Sequence, residues 1–73
     1  MKHSEFARAI EGEFGQAMGQ ALVRDLVLDV FDLTAADALK SGVRPREVWV
    51  ALCQAMDVPE SRIHGAGLRD PKE

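Results

Sequence analysis

One cysteine, Cys53, is the only thiol in the chain, and it removes most of the ways a short polypeptide can be stapled. No intrachain disulfide can form. Zinc frameworks need more thiolate or imidazole than one cysteine and two histidines supply. A chain of 73 residues supports one domain, which buries roughly 60% of the surface exposed when unfolded. Such a core yields only about 3–5 kcal/mol of net stability. Close helix packing, or association with another chain, is what remains. A lone thiol, and a start with no apolar run after Lys2, predict a reducing compartment, most simply the cytoplasm. The longest apolar-rich stretch, Ala21 to Leu33, is interrupted by Arg24, Asp25, Asp29 and Asp32. It is too short and too charged to span a bilayer, so a soluble protein with no membrane partner is expected.

Glycine and proline divide the chain into short helical units. Ser4 reads as an N-cap, and Phe6, Ile10 and Phe14 recur at i, i+4 and i+8 on one helical face. Gly15 closes that helix, and Gly12 weakens it by about 1 kcal/mol relative to alanine. A longer helix is predicted from Gln16 to Asp32, with Leu22, Leu26 and Val30 on one stripe and Met18, Val23 and Val27 beside it. Phe31 and Leu28 lie off that stripe and should meet another element. Gly19 within it marks a close backbone approach.

The next stretch is punctuated more sharply. Thr34 and Asp37 have the spacing of a capping box, Gly42 sits where a C′ glycine belongs, and Val43 can fold back on Leu39. Pro45 suits the first position of the following helix. Val48, Trp49, Leu52, Ala55 and Met56 then make one apolar face, with Arg46, Glu47, Val50 and Gln54 largely away from it. Pro59 ends the helix. From His64 onward the chain lacks periodicity and is rich in breakers, which reads as a tail.

The run Thr34, Ala38-Leu39, Gly42-Val43, Pro45-Arg46, Val48-Trp49, Ala51-Leu52-Cys53 and Asp57-Val58-Pro59 resembles a family of small actinobacterial helical proteins of unknown function, the domain-of-unknown-function family thirty forty-six. Glu5-Phe6, Phe14-Gly15, Arg24-Asp25 and Val27-Leu28 fit the same pattern. The resemblance covers about residues 1 to 62. It implies a compact helical domain with no assigned activity. A gene neighbourhood shared with a recombinase and its regulator implies a DNA-repair setting by association. Met18 stands where members commonly have an aromatic residue, and Phe31-Asp32-Leu33 lacks the glycines often seen there.

The charge pattern narrows the function classes. The net charge is −3, with three basic against six acidic residues in Met1–Leu33 and six of each in Thr34–Glu73. A general grip on nucleic acid is not expected from this balance. Ala38, Gly42, Val48 and Ala51 have the spacing of a helix-turn-helix, which would place Arg44, Arg46 and Trp49 near the start of a recognition helix. An ordinary helical hairpin explains the same spacing, and two arginines make a thin phosphate patch. Asp25, Asp29 and Asp32 fall at i, i+4 and i+7 along one helix edge. They read as solvated charge, or as a docking edge for a basic partner. Trp49 reads as a plug between helices, or as the anchor of a partner's pocket. Cys53, at the boundary of its face, reads as a small apolar filler, because a nucleophile would need a base and neither histidine is near in sequence. No phosphate loop, nucleophile elbow or dinucleotide fingerprint is present.

These features predict an all-α protein, a compact irregular bundle of four short helices near residues 4–14, 16–32, 35–41 and 45–57. Residues 1–62 form the domain and 63–73 a flexible tail. The function expected is a non-enzymatic protein-interaction or accessory module, without metal or cofactor. An unknown protein is its partner, with Arg44, Arg46, Trp49, Asp25 and Asp29 as the binding residues. The alternative is a small helix-turn-helix DNA-binding protein using the 34–57 helix pair, with DNA the less favoured partner. The sequence leaves the oligomeric state open, a weak homodimer included.

Overall fold

The structure is a computed structural model that describes residues 1–65. Helix α1 (His3–Phe14) and helix α2 (Gln16–Asp25) form a helical hairpin. A short antiparallel pair follows, β1 (Val27–Leu28) and β2 (Leu33–Thr34). Helices α3 (Ala35–Lys40), α4 (Pro45–Ala55) and α5 (Glu60–Gly65) complete the order. The fold is the expected helical bundle, with one helix more than predicted and a two-stranded insert.

Helix α1 begins earlier than Ser4. Its N-cap is Lys2, whose backbone N–H donates to Glu5 Oε1 at 2.8 Å, so a carboxylate three residues on satisfies the entry. Phe6, Ala9 and Ile10 are buried on its inner face, and Phe14 is half-buried. Gly15, at φ 86°, makes the corner into α2. Gly19 is the point where the two helices touch. A Cβ built there would lie 2.6 Å from Ile10 Cγ2 and 3.3 Å from the Ile10 carbonyl oxygen. The close approach expected at Gly19 is therefore present, and its neighbour is α1.

The long central helix predicted for 16–32 is not formed. Helix α2 stops at Asp25, Leu26 is extended, and the chain reverses through Asp29–Asp32. The Leu28 carbonyl accepts from both Phe31 N–H (3.0 Å) and Asp32 N–H (2.7 Å), and Asp32 adopts φ 61°. Valine and aspartate are weak helix formers, and four of the six residues from Val27 to Asp32 are of those two types. The reversal carries Leu28 into the core at 1% exposure and pairs it with Leu33.

Helices α3 and α4 follow the local signals closely. Thr34 Oγ1 accepts from Asp37 N–H at 3.2 Å, one arm of the anticipated box. At the other end Val43 N–H donates to the Ala38 carbonyl (3.0 Å) and Gly42 N–H to Leu39 (3.1 Å), the paired bonds of a Schellman ending. Gly42, at φ 101°, supplies the left-handed residue that this ending needs. Pro45 opens α4 as predicted. The end of α4 repeats the Schellman pattern, with Val58 N–H on Cys53 (2.9 Å) and Asp57 N–H on Gln54 (3.2 Å). Here Asp57 takes the left-handed position at φ 59°.

Helix α4 is the centre of the molecule, packed by α1, α3, α5 and β1. Val48, Trp49, Leu52 and Cys53 are all at 0% exposure, while Ala55 is exposed, so the inner face is turned toward Cys53 and away from Ala55 relative to that predicted. Helix α5 seals its far side. The Trp49 indole N–H donates to the Ile63 carbonyl at 2.8 Å, and Ile63 is buried. The boundary of the ordered domain thus lies beyond Arg62, and Ile63 belongs to the core rather than to a tail. The remainder of the predicted tail, 66–73, lies outside the described residues. Arg62 reaches across to α1, its Nε and a second guanidinium nitrogen 3.1 and 3.0 Å from Glu13 Oε2.

Candidate functional site

The residues singled out from the sequence do not converge on one place. Trp49 is fully enclosed, its one polar atom satisfied by Ile63, so it is the plug between helices and offers nothing to a partner. Asp25, Asp29 and Asp32 share no helix edge, because the helix that would align them ends at the first of them. Asp25 faces its neighbour Arg24 at 3.4 Å, an exposed pair of little energetic weight. Asp29 and Asp32 sit in the β-turn beyond. Cys53 is not at a boundary but wholly inside. Burial, helped by the nearby Glu13 charge, pushes its thiol from an ordinary 9.0 up to about 12. A thiol held protonated in this way is chemically quiet.

Arg44 and Arg46 do share a feature with structure around it. A groove of about 470 Å³ runs between the β-turn and the outer face of α4, lined by Val30, Phe31, Arg44, Arg46, Glu47, Val50, Ala51 and Gln54. Its floor is apolar: Phe31, Val50 and Ala51 are half-buried against the core. Val30 stands at its edge with 74% of its surface in water, the most exposed large apolar side chain among the described residues. Arg44 and Arg46 make no ion pair among those residues, and neither do Asp29, Asp32 and Glu47. Two cations and one carboxylate, Arg44, Arg46 and Glu47, therefore rim the apolar floor on its α4 side.

Three positions of this groove escape a reading of the sequence. Helical periodicity places Val30 on a core stripe, sends Phe31 to another element, and sets Val50 away from the core without consequence. Val50 does carry a signal: it is a β-branched apolar residue on the otherwise polar face of α4, close to Arg46 and Glu47.

A second hollow, of about 410 Å³, lies between α1 and α2 over Phe6, Ile10, Val23 and Leu39. His3 and Glu11 are its only ionisable lining residues, and it brings together none of the predicted site residues. Among the described residues no group of three or more His, Cys, Asp or Glu side chains is placed to hold a metal ion. Among them too, no helix is long and apolar enough to cross a membrane. The candidate site is thus a shallow apolar groove rimmed by Arg44, Arg46 and Glu47.

Nothing among the curated proteins or the solved structures matches the chain. The resemblance noted in the helical punctuation is upheld by the family whose model matches residues 1–61. The chain belongs to that family, described as Protein of unknown function (DUF3046).

Proposed function

We propose that this protein is a small, non-enzymatic interaction module of the cytoplasm, and that its binding face is the groove between the β-turn and α4. The observation that carries this reading is Val30, three-quarters exposed beside the half-buried Phe31, Val50 and Ala51. Leaving such a side chain in water forfeits burial worth about 1.5–3 kcal/mol, which a partner would recover. Arg44 and Arg46 at the rim supply orientation and steering rather than most of the affinity. An accessory role in DNA repair or recombination is the setting that the family resemblance suggests.

A protein partner is preferred to DNA because the outer face of α4 sets Glu47 beside Arg46 and because α4 is packed on several sides. A recognition helix must enter a groove with its outer face, where each carboxylate opposes the phosphates.

The test is a photo-cross-linking residue placed at Val50, and separately at Ala17 on the exposed side of α2, in the cells that make the protein. A discrete protein adduct from position 50 and none from position 17 is the expected result. Equal adducts from both positions, or none from either, would sink the reading. Adducts to DNA from position 50, with duplex binding that collapses between about 50 and 200 mM salt, would move it to the helix-turn-helix alternative.

A further inference from the structure

We infer that the groove takes a short protein segment with carboxylates at one end and a large apolar side chain one helical turn away. This inference rests on the groove being a binding face and names the chemistry of what fills it.

The α4 wall sets the order of the recognising groups. Arg46, Val50 and Gln54 recur at i, i+4 and i+8, so they stand along one line of the helix, with Glu47 and Ala51 beside them. At 1.5 Å per residue that line is about 12 Å long. Its first end carries Arg44 and Arg46, both exposed and neither in an ion pair among the described residues. Its middle is apolar, where Val50 and Ala51 line the groove together with Val30 and Phe31 of the turn. Its far end, Gln54, is neutral. Asp29 and Asp32 belong to the turn but not to the groove lining.

Charge then decides the occupant. Two guanidinium groups against the single carboxylate of Glu47 leave the arginine end net positive. A carboxylate laid there gains charge-assisted hydrogen bonds, and the planar fork of arginine matches it in two-point contact. A basic segment would meet two like charges at the same end. DNA fails for a different reason: its charge repeats along its whole length, so phosphates that reached Arg44 and Arg46 would continue past Glu47. A peptide can confine its carboxylates to one end. Its apolar side chain, about 6 Å further along, then lies over Val50 and Phe31 and covers the exposed Val30.

The test uses random dodecapeptides displayed on phage and selected on the immobilised full chain. Enriched sequences should pair Asp or Glu with Phe, Leu or Trp, about three or four residues apart if helical and about two if extended. The leading synthetic peptide should bind a chain carrying both Arg44→Glu and Arg46→Glu about tenfold more weakly, the scale of two exposed ion pairs. Both positions are exposed at the start of α4, where carboxylates suit the helix end, so this variant should keep the parent circular dichroism spectrum. In nitrogen-15 NMR of the full chain, the peptide should move the amide signals of Val30, Phe31 and Val50. Those of Ala7 and Gln20, at the hollow between α1 and α2, should stay in place.

Enrichment of basic or uncharged peptides, or of nothing, would overturn the inference. So would acidic peptides that bind the double variant equally well or that shift Ala7 and Gln20 instead. A DNA duplex that shifts the groove signals when no peptide does would overturn it in favour of nucleic acid. The interaction-module reading fails separately. A Val50 adduct to a protein, with no acidic peptide enriched, removes the acidic segment and leaves the module in place.

Discussion

At Cys53 the structure turns an ambiguous residue into one with a definite chemistry. A thiol wholly buried in the core, with the Glu13 carboxylate nearby, is costly to ionise. Alkylation by iodoacetamide at pH 8 should therefore be negligible in the native chain and complete in denaturant. Rapid modification without unfolding would contradict the burial described. The same shift sets a pH limit. The folded value is raised above the unfolded one, so the native state holds the proton more tightly. That contribution is present in full below about pH 9 and is lost progressively as the pH climbs toward 12. The cysteine's type was legible in the sequence as a small apolar filler. Its depth was not, because the buried face extends past Trp49 to take in Cys53 while Ala55 turns to solvent.

Among the elements, α1 and α2 provide a paired test of what glycine does. Gly12 lies exposed in α1, and a methyl group added there would meet no atom within 4 Å, so Gly12→Ala should stabilise by up to about 1 kcal/mol. Gly19→Ala gains the same helix propensity but drives a methyl into Ile10. Overpacking costs about 1–3 kcal/mol, so the net effect should be destabilising. Urea unfolding of the two variants should move the midpoint in opposite directions, and a shift in the same direction would mean that the helices are not in contact at Gly19. Legibility differs between elements for a related reason. Thr34, Gly42 and Pro45 act on their immediate neighbours, so the α3–α4 turn could be read from the sequence. Leu22, Leu26 and Val30 fit a helical stripe as well as they fit a helix followed by a turn, and periodicity alone does not separate the two. Helix α5 has little of its own to announce it, since what it satisfies is an indole fourteen residues earlier. The groove was half legible: its arginines stood out by charge, whereas its floor exists only because the chain reverses at Asp29–Asp32.

For the molecule as a whole, the core is closed by its last described element. Deleting residues from Glu60 onward would expose Trp49, forfeit the burial of Ile63 (about 1.5–3 kcal/mol) and remove the acceptor of the indole N–H, a bond worth about 0.5–1.5 kcal/mol net. Those losses together are comparable to the roughly 3–5 kcal/mol that a domain of this size commands. The truncated chain should therefore lose cooperative thermal unfolding. The emission of its single tryptophan should shift to the red. Native-like emission and an unchanged melting temperature would show that α5 is dispensable.

The bridge from Arg62 to Glu13 joins residues 49 apart in sequence, and this separation bears on kinetics. Each helix here can form within about a microsecond once its neighbours permit it. The contact between α1 and α5 instead waits on a diffusive search, and the entropy of closing that loop is spent before any packing rewards it. The joining of α5 to α1 should therefore follow the winding of the individual helices rather than precede it.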